Sequence, residues 1–496
     1  MTALLTKLSD RNPNDVVIEC EDGAFTAQQL LTDIEVVSAT LVAKDIGRLG
    51  LLARNSAAWV TVDLACQSAA ICLLPMPAFF ADNQLRHSMK CAGLQAVLTD
   101  NPQRFSDIAG SEIVFKETGQ CVGLTLILIE GAADPLLPPC TQKITFTSGS
   151  TGTPRGVCLG IDHQLRVASA LDQALQIKAP RHLCLLPLST LLENLGGIYY
   201  PLLADGVVSI PPETTTGFSG GAGLDTLKLI RTISRHRPAS IIILPQMLVG
   251  LVAALEEGWT APEELKFAAV GGAKVSAGLI RRARDLGLPV YEGYGLSEAG
   301  SVACLNHPGC DQIGTVGQSL AHVDVSIEAG EVVVKGNTFL GYVGEPDSWG
   351  AKSLLTGDLG ELDAEGYLNL EGRRKNLLIT SLGRNISPEW IESELLLYPE
   401  IEQCIVFGDA RPFCAALIKP ANPDISTQAM QSVLDAVNTK LPEYAQIKRW
   451  HRLQETLSVA EALYTENGRP RRAAIASRFG PVIDSLYSET MSTASL

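Results

Sequence analysis

Short apolar runs alternate with segments of helical periodicity through the first hundred residues, and a chain built this way has few folds open to it. Val16-Val17-Ile18-Glu19-Cys20 predicts a strand. Thr26 and Gln29 then form a capping-box pattern that opens a helix carrying Leu30, Ile34, Val37 and Leu41 on one face. The rhythm continues with strands predicted over 49–52, 71–75 and 96–99 and helices over 59–70 and 83–91. Parallel strands joined by covering helices bury both faces of a sheet, so the predicted class is α/β with parallel sheets. Further strands over 182–187, 240–244, 267–270 and 289–291 each end before a polar or glycine-rich turn. In such sheets ligands sit beyond the carboxyl ends of the strands.

At 496 residues the chain exceeds one ordinary core, so two or more domains are expected. The stretch 314–344 is strand-rich and punctuated by glycine, which predicts a small β subdomain ending near Thr356-Gly357-Asp358. A hairpin over 362–370, turning at Glu365-Gly366, leads into Glu371-Gly372-Arg373-Arg374-Lys375-Asn376. Charge concentrated between apolar runs puts the domain boundary there, giving a large domain over 1–374 and a smaller α+β domain over 375–496. In the latter, Ser387-Pro388 opens a helix with Trp390, Ile391 and Leu395 on one side, and strands are predicted over 401–407 and 414–418. The small, polar residues from about 485 onward predict a disordered tail.

Hydrophobic residues at 46% and charged residues at 19% describe a well-packed protein, and a net charge of −15 excludes a general nucleic-acid binder, which needs a basic face. A small anion can still be held by a local cationic site. Twelve cysteines stand singly, with no Cys-x-x-Cys pair and no histidine cluster beside them. That pattern argues against a zinc site or a disulfide framework and for reduced thiols in a cytoplasmic protein. The first residues lack the apolar core of a signal peptide, and the apolar stretches are interrupted by proline and polar residues. No membrane span is expected, while peripheral association stays open.

Phe146-Thr147-Ser148-Gly149-Ser150-Thr151-Gly152-Thr153-Pro154-Arg155-Gly156-Val157 concentrates hydroxyls, glycines and a cation in one loop. Glycine lets backbone approach an anion, Ser and Thr donate hydrogen bonds, and Arg155 keeps its charge, so the loop suits a polyphosphate. It departs from the GxxxxGK[ST] loop, since Pro154 occupies the fifth place after Gly149. Its order closely resembles the signature of the adenylate-forming (AMP-binding) superfamily of acyl-CoA synthetases, firefly luciferase and peptide-synthetase adenylation domains, with Arg155 where the family usually has Lys.

The resemblance implies roles for residues across the chain. Thr147, Ser148, Gly149, Ser150, Thr151, Gly152 and Arg155 would wrap the β- and γ-phosphates of ATP. Gly271, Gly272 and Ala273 would line one side of the adenine and Tyr294, followed by Gly295, would stack on it. Ser297 would touch the α-phosphate and Glu298 would ligate Mg2+. Asp358 and Arg373 would hold the ribose. Thr190 and Glu193 fall in the segment that lines the carboxylate pocket, with Thr190 where long-chain acyl-CoA synthetases often have His. The C-terminal domain would be mobile, turning about Lys375, with Gly383 admitting pantetheine. Arg469 stands in place of the family's catalytic lysine.

By the same resemblance, the chain is expected to activate a carboxylic acid to acyl-AMP with release of pyrophosphate and then to form a CoA thioester. It looks most like the long-chain acyl-CoA synthetases. Few cations or fixed polar groups occur over 191–199, 241–252 and 268–272, which favours an apolar, fatty acid. Two alternatives stand beside this: transfer to the phosphopantetheine of an acyl carrier protein, and a non-catalytic homologue that binds nucleotide or acyl-adenylate, for which Arg469 and Thr190 are the motivation.

Overall fold

The computed structural model describes residues 2–21, 23–147, 154–218, 224–381, 385–459, 461–465 and 468–488. The alternation of apolar runs and helices resolves into two large sheets. One has nine strands, in the order Gln318–Ser319, Cys304–Leu305, Val290–Tyr294, Phe267–Val270, Ser240–Ile243, Arg181–Leu183, Val207–Ile210, Val16–Cys20 and Gly23–Thr26. The six strands from Val290–Tyr294 to Val16–Cys20 run parallel, with antiparallel additions at both ends. The other has eight strands, in the order Gly341–Tyr342, Arg155–Leu159, Lys143–Thr147, Cys72–Pro75, Arg48–Leu52, Ala96–Thr99, Leu124–Ile129 and Phe115–Cys121.

Helix composition follows position. Ala27–Ala43 begins at the Thr26–Gln29 capping box and buries Leu30, Ile34, Val37 and Leu41, so it is amphipathic and covers one face. Ala57–Ala69 is buried nearly all round, from Trp59 through Gln67, as befits a helix enclosed on every side. Ser56 caps it by accepting from the Trp59 amide.

The strand predicted over 182–187 is shorter than its apolar run. It spans Arg181–Leu183, and pairing ends after the Cys184 amide reaches Ser209. Leu185 and Leu186 are buried all the same, in the second apolar core, and Pro187 has no amide to pair. Apolar content alone does not separate a buried loop from a buried strand.

The small β unit also differs from its predicted bounds. Val323–Glu328, Glu331–Gly336, Ser353–Leu362 and Leu368–Arg373 form an antiparallel sheet that extends through Asp358 to Arg373. Gly341–Tyr342 leaves that unit and joins Arg155–Leu159 on the edge of the eight-stranded sheet. Gly341 permits the crossing, since its φ is +141° and a Cβ there would lie 2.3 Å from the Trp349 ring.

Beyond Lys375, strands Ile401–Phe407, Cys414–Pro420 and Ile447–Arg452 form a three-stranded sheet with helices Pro388–Leu395, Thr427–Asn438 and Arg472–Ser488. Residues 485–488, predicted as disordered tail, belong to the last helix because Ile483 and Tyr487 are buried and the Tyr487 hydroxyl donates to the Phe407 carbonyl at 3.1 Å. Residues 489–496 lie outside the described residues. Among the described residues no two cysteines are joined in a disulfide. Among the described residues no helix is long and apolar enough to cross a membrane.

Candidate active site

Asp358 is the most constrained acid of the site. It lies opposite Arg373 in the register between Ser353–Leu362 and Leu368–Arg373. Arg373 Nε sits 2.7 Å from its Oδ1, and the Tyr294 hydroxyl donates to its Oδ2 at 2.7 Å. Burial raises the Asp358 pKa, against the opposing pull of Arg373, Tyr294 and Arg469. Tyr294 itself is 9% exposed, with its ring packed in a cluster that includes Ala299, Cys304 and Val332. Its hydroxyl thus anchors the ribose candidate as well as placing a ring beside the turns that follow.

Those turns meet at the carboxyl ends of two neighbouring parallel strands. Gly271, Gly272 and Ala273 follow Phe267–Val270, and Gly272 takes φ +90°. A Cβ on Gly271 would lie 3.2 Å from the Gly293 carbonyl, so this turn approaches the neighbouring strand Val290–Tyr294 through bare backbone. At Gly295 a Cβ would fall 1.8 Å from the Ser301 carbonyl, which excludes any other residue there. Ser297 and Glu298 open the 3-10 turn Ser297–Ala299 immediately afterwards.

Arg469 reaches this place from the far end of the chain. Its Nε donates to the Gly272 carbonyl at 2.5 Å. Desolvation, then the neighbouring Arg373 charge, lower its pKa from the usual arginine value, while Asp358 and Glu389 oppose. The residue as a whole is open to solvent.

The Glu298 carbonyl accepts from the Phe339 amide at 2.7 Å, and its carboxylate Oε1 accepts from the Tyr342 hydroxyl at 2.7 Å. Its Oε2 meets no donor among the described residues. Thr147 ends the strand Lys143–Thr147 and lies opposite Arg155. Arg155 forks onto Glu345, with Nε to Oε1 at 3.0 Å and a second, shorter contact, and its Cζ stands 3.5 Å from the centroid of the Tyr342 ring. Ser148, Gly149, Ser150, Thr151 and Gly152, like Gly383, lie outside the described residues. Lys375 is exposed in the turn that follows Arg373.

Thr190 takes the N-cap position of the short helix Leu191–Glu193 but makes no side-chain cap bond. The chain then winds as a π-helix over Asn194–Tyr199, a form concentrated at functional sites. Glu193 is fully buried, 3.3 Å from His182 Nε2, and Cys184 stands beside them. Burial raises the Glu193 pKa, with His182 opposing. Behind this segment Lys143 and Asp63 form a buried ion pair at 2.8 Å, shared with Asn194 and Tyr199.

Tyr342, Glu345, Glu292 and the two partners of Glu193, His182 and Cys184, were not marked as site residues by sequence reasoning. Only Gly341-Tyr342 carried a signal, an aromatic directly after a glycine that breaks the small sheet. The His182–Cys184–Glu193 convergence depends on the short helix Leu191–Glu193 packing back against the strand Arg181–Leu183 and the loop after it.

Comparison with known proteins gives two family matches: the AMP-binding enzyme family over residues 5–344 and the AMP-binding enzyme C-terminal domain over residues 375–491. A long-chain-fatty-acid–CoA ligase of Mycobacterium bovis is 23% identical, covering 87% of this chain and 86% of its own. A 2-succinylbenzoate–CoA ligase of Bacillus pumilus is 27% identical, covering 80% and 82%. Among solved structures, an anthranilate CoA ligase in complex with anthranoyl-AMP superimposes with a TM-score of 0.81 at 17% identity, covering 96% of both chains. That likeness is one of fold.

Proposed function

Because the chain belongs to the AMP-binding enzyme family, we propose that it is an acid–thiol ligase that couples ATP cleavage to activation of an apolar carboxylic acid. The observation that carries this is the convergence of Asp358, Arg373, Tyr294, Gly272 and Arg469, drawn from four separate stretches of the chain, on one cleft.

The chemistry follows from what each side chain offers. A carboxylate oxygen of the substrate attacks the α-phosphorus of ATP, the bond to the β-phosphate oxygen breaks, and pyrophosphate leaves. Asp358 and Arg373 hold the ribose, with Asp358 accepting from its hydroxyls. Tyr294 and the turn Gly271–Ala273 enclose the base. Arg469 stands between substrate carboxylate and α-phosphate and offsets the charge that gathers there. Arg155, with Thr147 and the loop residues Ser148 to Gly152, holds the β- and γ-phosphates, and Ser297 the α-phosphate.

Mg2+ fits the donor set in one respect that the geometry allows to be tested: among the described residues no donor meets one carboxylate oxygen of Glu298, as a hard cation bridging phosphates would require. When bound, the ion neutralises phosphate charge. In the second half-reaction a thiol of coenzyme A attacks the acyl carbon, a C–S bond forms and AMP departs. The domain over 375–496 turns about Lys375 for this step, and Gly383 leaves room for the pantetheine arm.

The substrate reading is a fatty acid. Leu191, Leu195, Ile242, Met247 and Leu248 in the segments expected to wall the pocket are buried and apolar. One relative is named for a long-chain fatty acid and another for 2-succinylbenzoate, an aromatic dicarboxylate, so the relatives support a carboxylic acid and the apolar wall supports the fatty chain. The test is release of AMP and pyrophosphate from MgATP across a panel of alkyl and aryl acids, with and without coenzyme A, products identified by mass. Acyl-CoA from alkyl acids supports the reading. Acyl-AMP without acyl-CoA shifts the acceptor to a carrier protein, and no turnover with any acid overturns it.

A further inference from the structure

The segment 339–343 touches both halves of the phosphate site. The Phe339 amide donates to the Glu298 carbonyl at 2.7 Å, and Tyr342 donates from its hydroxyl to Glu298 Oε1 at 2.7 Å, so Glu298 is gripped by backbone and side chain together. On its other side the same segment is laced to the strand Arg155–Leu159, with Tyr342 opposite Val157 and the Val343 amide on the Gly156 carbonyl at 2.9 Å. Tyr342 has little freedom to move. Its carbonyl accepts from Trp349 Nε1 at 2.9 Å, and Phe339 packs edge-on against its ring at 4.7 Å.

The Tyr342 ring in turn carries Arg155, whose guanidinium lies 3.5 Å above it and forks onto Glu345. A planar guanidinium can stack and fork at once, whereas a lysine ammonium offers a point charge. Both partners of the Arg155–Glu345 pair are nearly half exposed, at 42% and 45%. An exposed pair of this kind is worth at most about fivefold in an equilibrium constant, so a more highly charged anion displaces it readily.

We propose that Tyr342 is a positioning residue that couples the carboxylate of Glu298 to the cation of Arg155, and that Glu345 is a placeholder that a triphosphate displaces from Arg155. This rests on the reading of the site as an ATP site. Before nucleotide arrives, Glu345 and the ring keep Arg155 beside the loop. When the triphosphate takes the guanidinium, the ring continues to define where it stands, and the hydroxyl keeps Glu298 turned with one oxygen outward. The arginine at 155 is thus matched to an aromatic platform on a neighbouring strand.

The experiment is calorimetric titration of the full chain with ATP, once with excess Mg2+ and once with EDTA, for wild type, Tyr342→Phe, Tyr342→Leu and Glu345→Ala, with thermal unfolding alongside. Tyr342→Phe keeps the platform and loses the hydroxyl. It is expected to bind metal-free ATP within twofold of wild type and to lose about tenfold of the affinity gained with Mg2+. Tyr342→Leu is expected to weaken both titrations, and Glu345→Ala to tighten metal-free ATP binding by up to about fivefold. Tyr342→Phe matching wild type in both, or losing both alike with a lowered melting temperature, overturns the coupling and leaves the ATP site standing. Unchanged or weakened binding by Glu345→Ala overturns the placeholder. A wild type that binds ATP in neither condition overturns the ATP site and this inference with it.

Discussion

Arg469 donates from Nε to the carbonyl oxygen of Gly272 at 2.5 Å, so a side chain from the last stretch of the chain rests on the turn that follows Phe267–Val270. The contact is made to a backbone atom at the mouth of the candidate site, and Asp358, Arg373 and Glu389 supply the charges around it.

Removing that guanidinium should affect rate more than stability, because the residue is open to solvent. Arg469→Ala is expected to slow acyl-AMP formation by about a hundredfold or more, the usual loss for one preorganised electrostatic contact. Its melting temperature should stay near that of wild type. Arg469→Lys restores the charge on a compact head and should recover at least part of the rate. Pyrophosphate release from single-turnover mixtures measures both.

Asp358 offers a sharper test of ligand recognition. Asp358→Asn removes the charge that Arg373 faces and one of the two acceptors that its carboxylate presents, and is expected to weaken ATP binding by roughly tenfold or more. The loss should shrink with a nucleotide lacking both ribose hydroxyls. Equal losses with both nucleotides would mean that Asp358 acts only by holding Arg373 and Tyr294.

Glu292 sets a pH dependence of stability. Burial pushes its carboxyl up to about 8, opposed by the Val275 amide and by Lys274. The folded protein therefore holds a proton that the unfolded chain, with a carboxylate pKa near 4.5, has released. Its contribution to stability is fully present below about pH 4.5 and falls as pH rises through the window up to about 8, with a slope of at most about 1.4 kcal/mol per pH unit. Glu292→Gln keeps the neutral shape and should flatten that slope in urea unfolding measured from pH 5 to 8.

The Lys143–Asp63 pair is nearly inaccessible, at 2% and 1% exposure, and is tied to Asn194 and Tyr199 of the π-helix. Removing one partner leaves the other charge buried and uncompensated. Asp63→Leu or Lys143→Met is expected to cost about 3–5 kcal/mol, and the double replacement Asp63→Leu with Lys143→Met less than the sum. Chemical denaturation of the four proteins in a double-mutant cycle checks this.

The parts of the fold fixed locally were legible in the sequence. The Thr26–Gln29 capping box and the apolar face of its helix depend on residues three and four apart, and the structure holds both. The parallel strands before glycine-rich turns were legible as well, because each turn must fall where the sheet ends. The length of the strand at 181–183 was not, since Leu185 and Leu186 are as buried in a loop as they would be in a sheet. Tyr342 and Glu345 escaped for another reason. Tyr342 is brought to Glu298 and Arg155 by the strand Gly341–Tyr342, which changes sheets, and Glu345 follows it, so no local spacing encodes these contacts. His182, Cys184 and Glu193 likewise meet through tertiary packing of the helix Leu191–Glu193 against the strand Arg181–Leu183, which no local spacing encodes.

The strand exchange at Gly341–Tyr342 also bears on how the protein is made. Ribosomal synthesis delivers Arg155–Leu159 long before residues 341–342, so the nascent eight-stranded sheet carries an unpaired edge until the chain has grown past that point. Pairing across so large a sequence separation is slow, and closure of this edge is a late event on the way to the native state. A chain interrupted before residue 341 therefore presents an adhesive edge, and truncation there should yield aggregates rather than a smaller soluble protein.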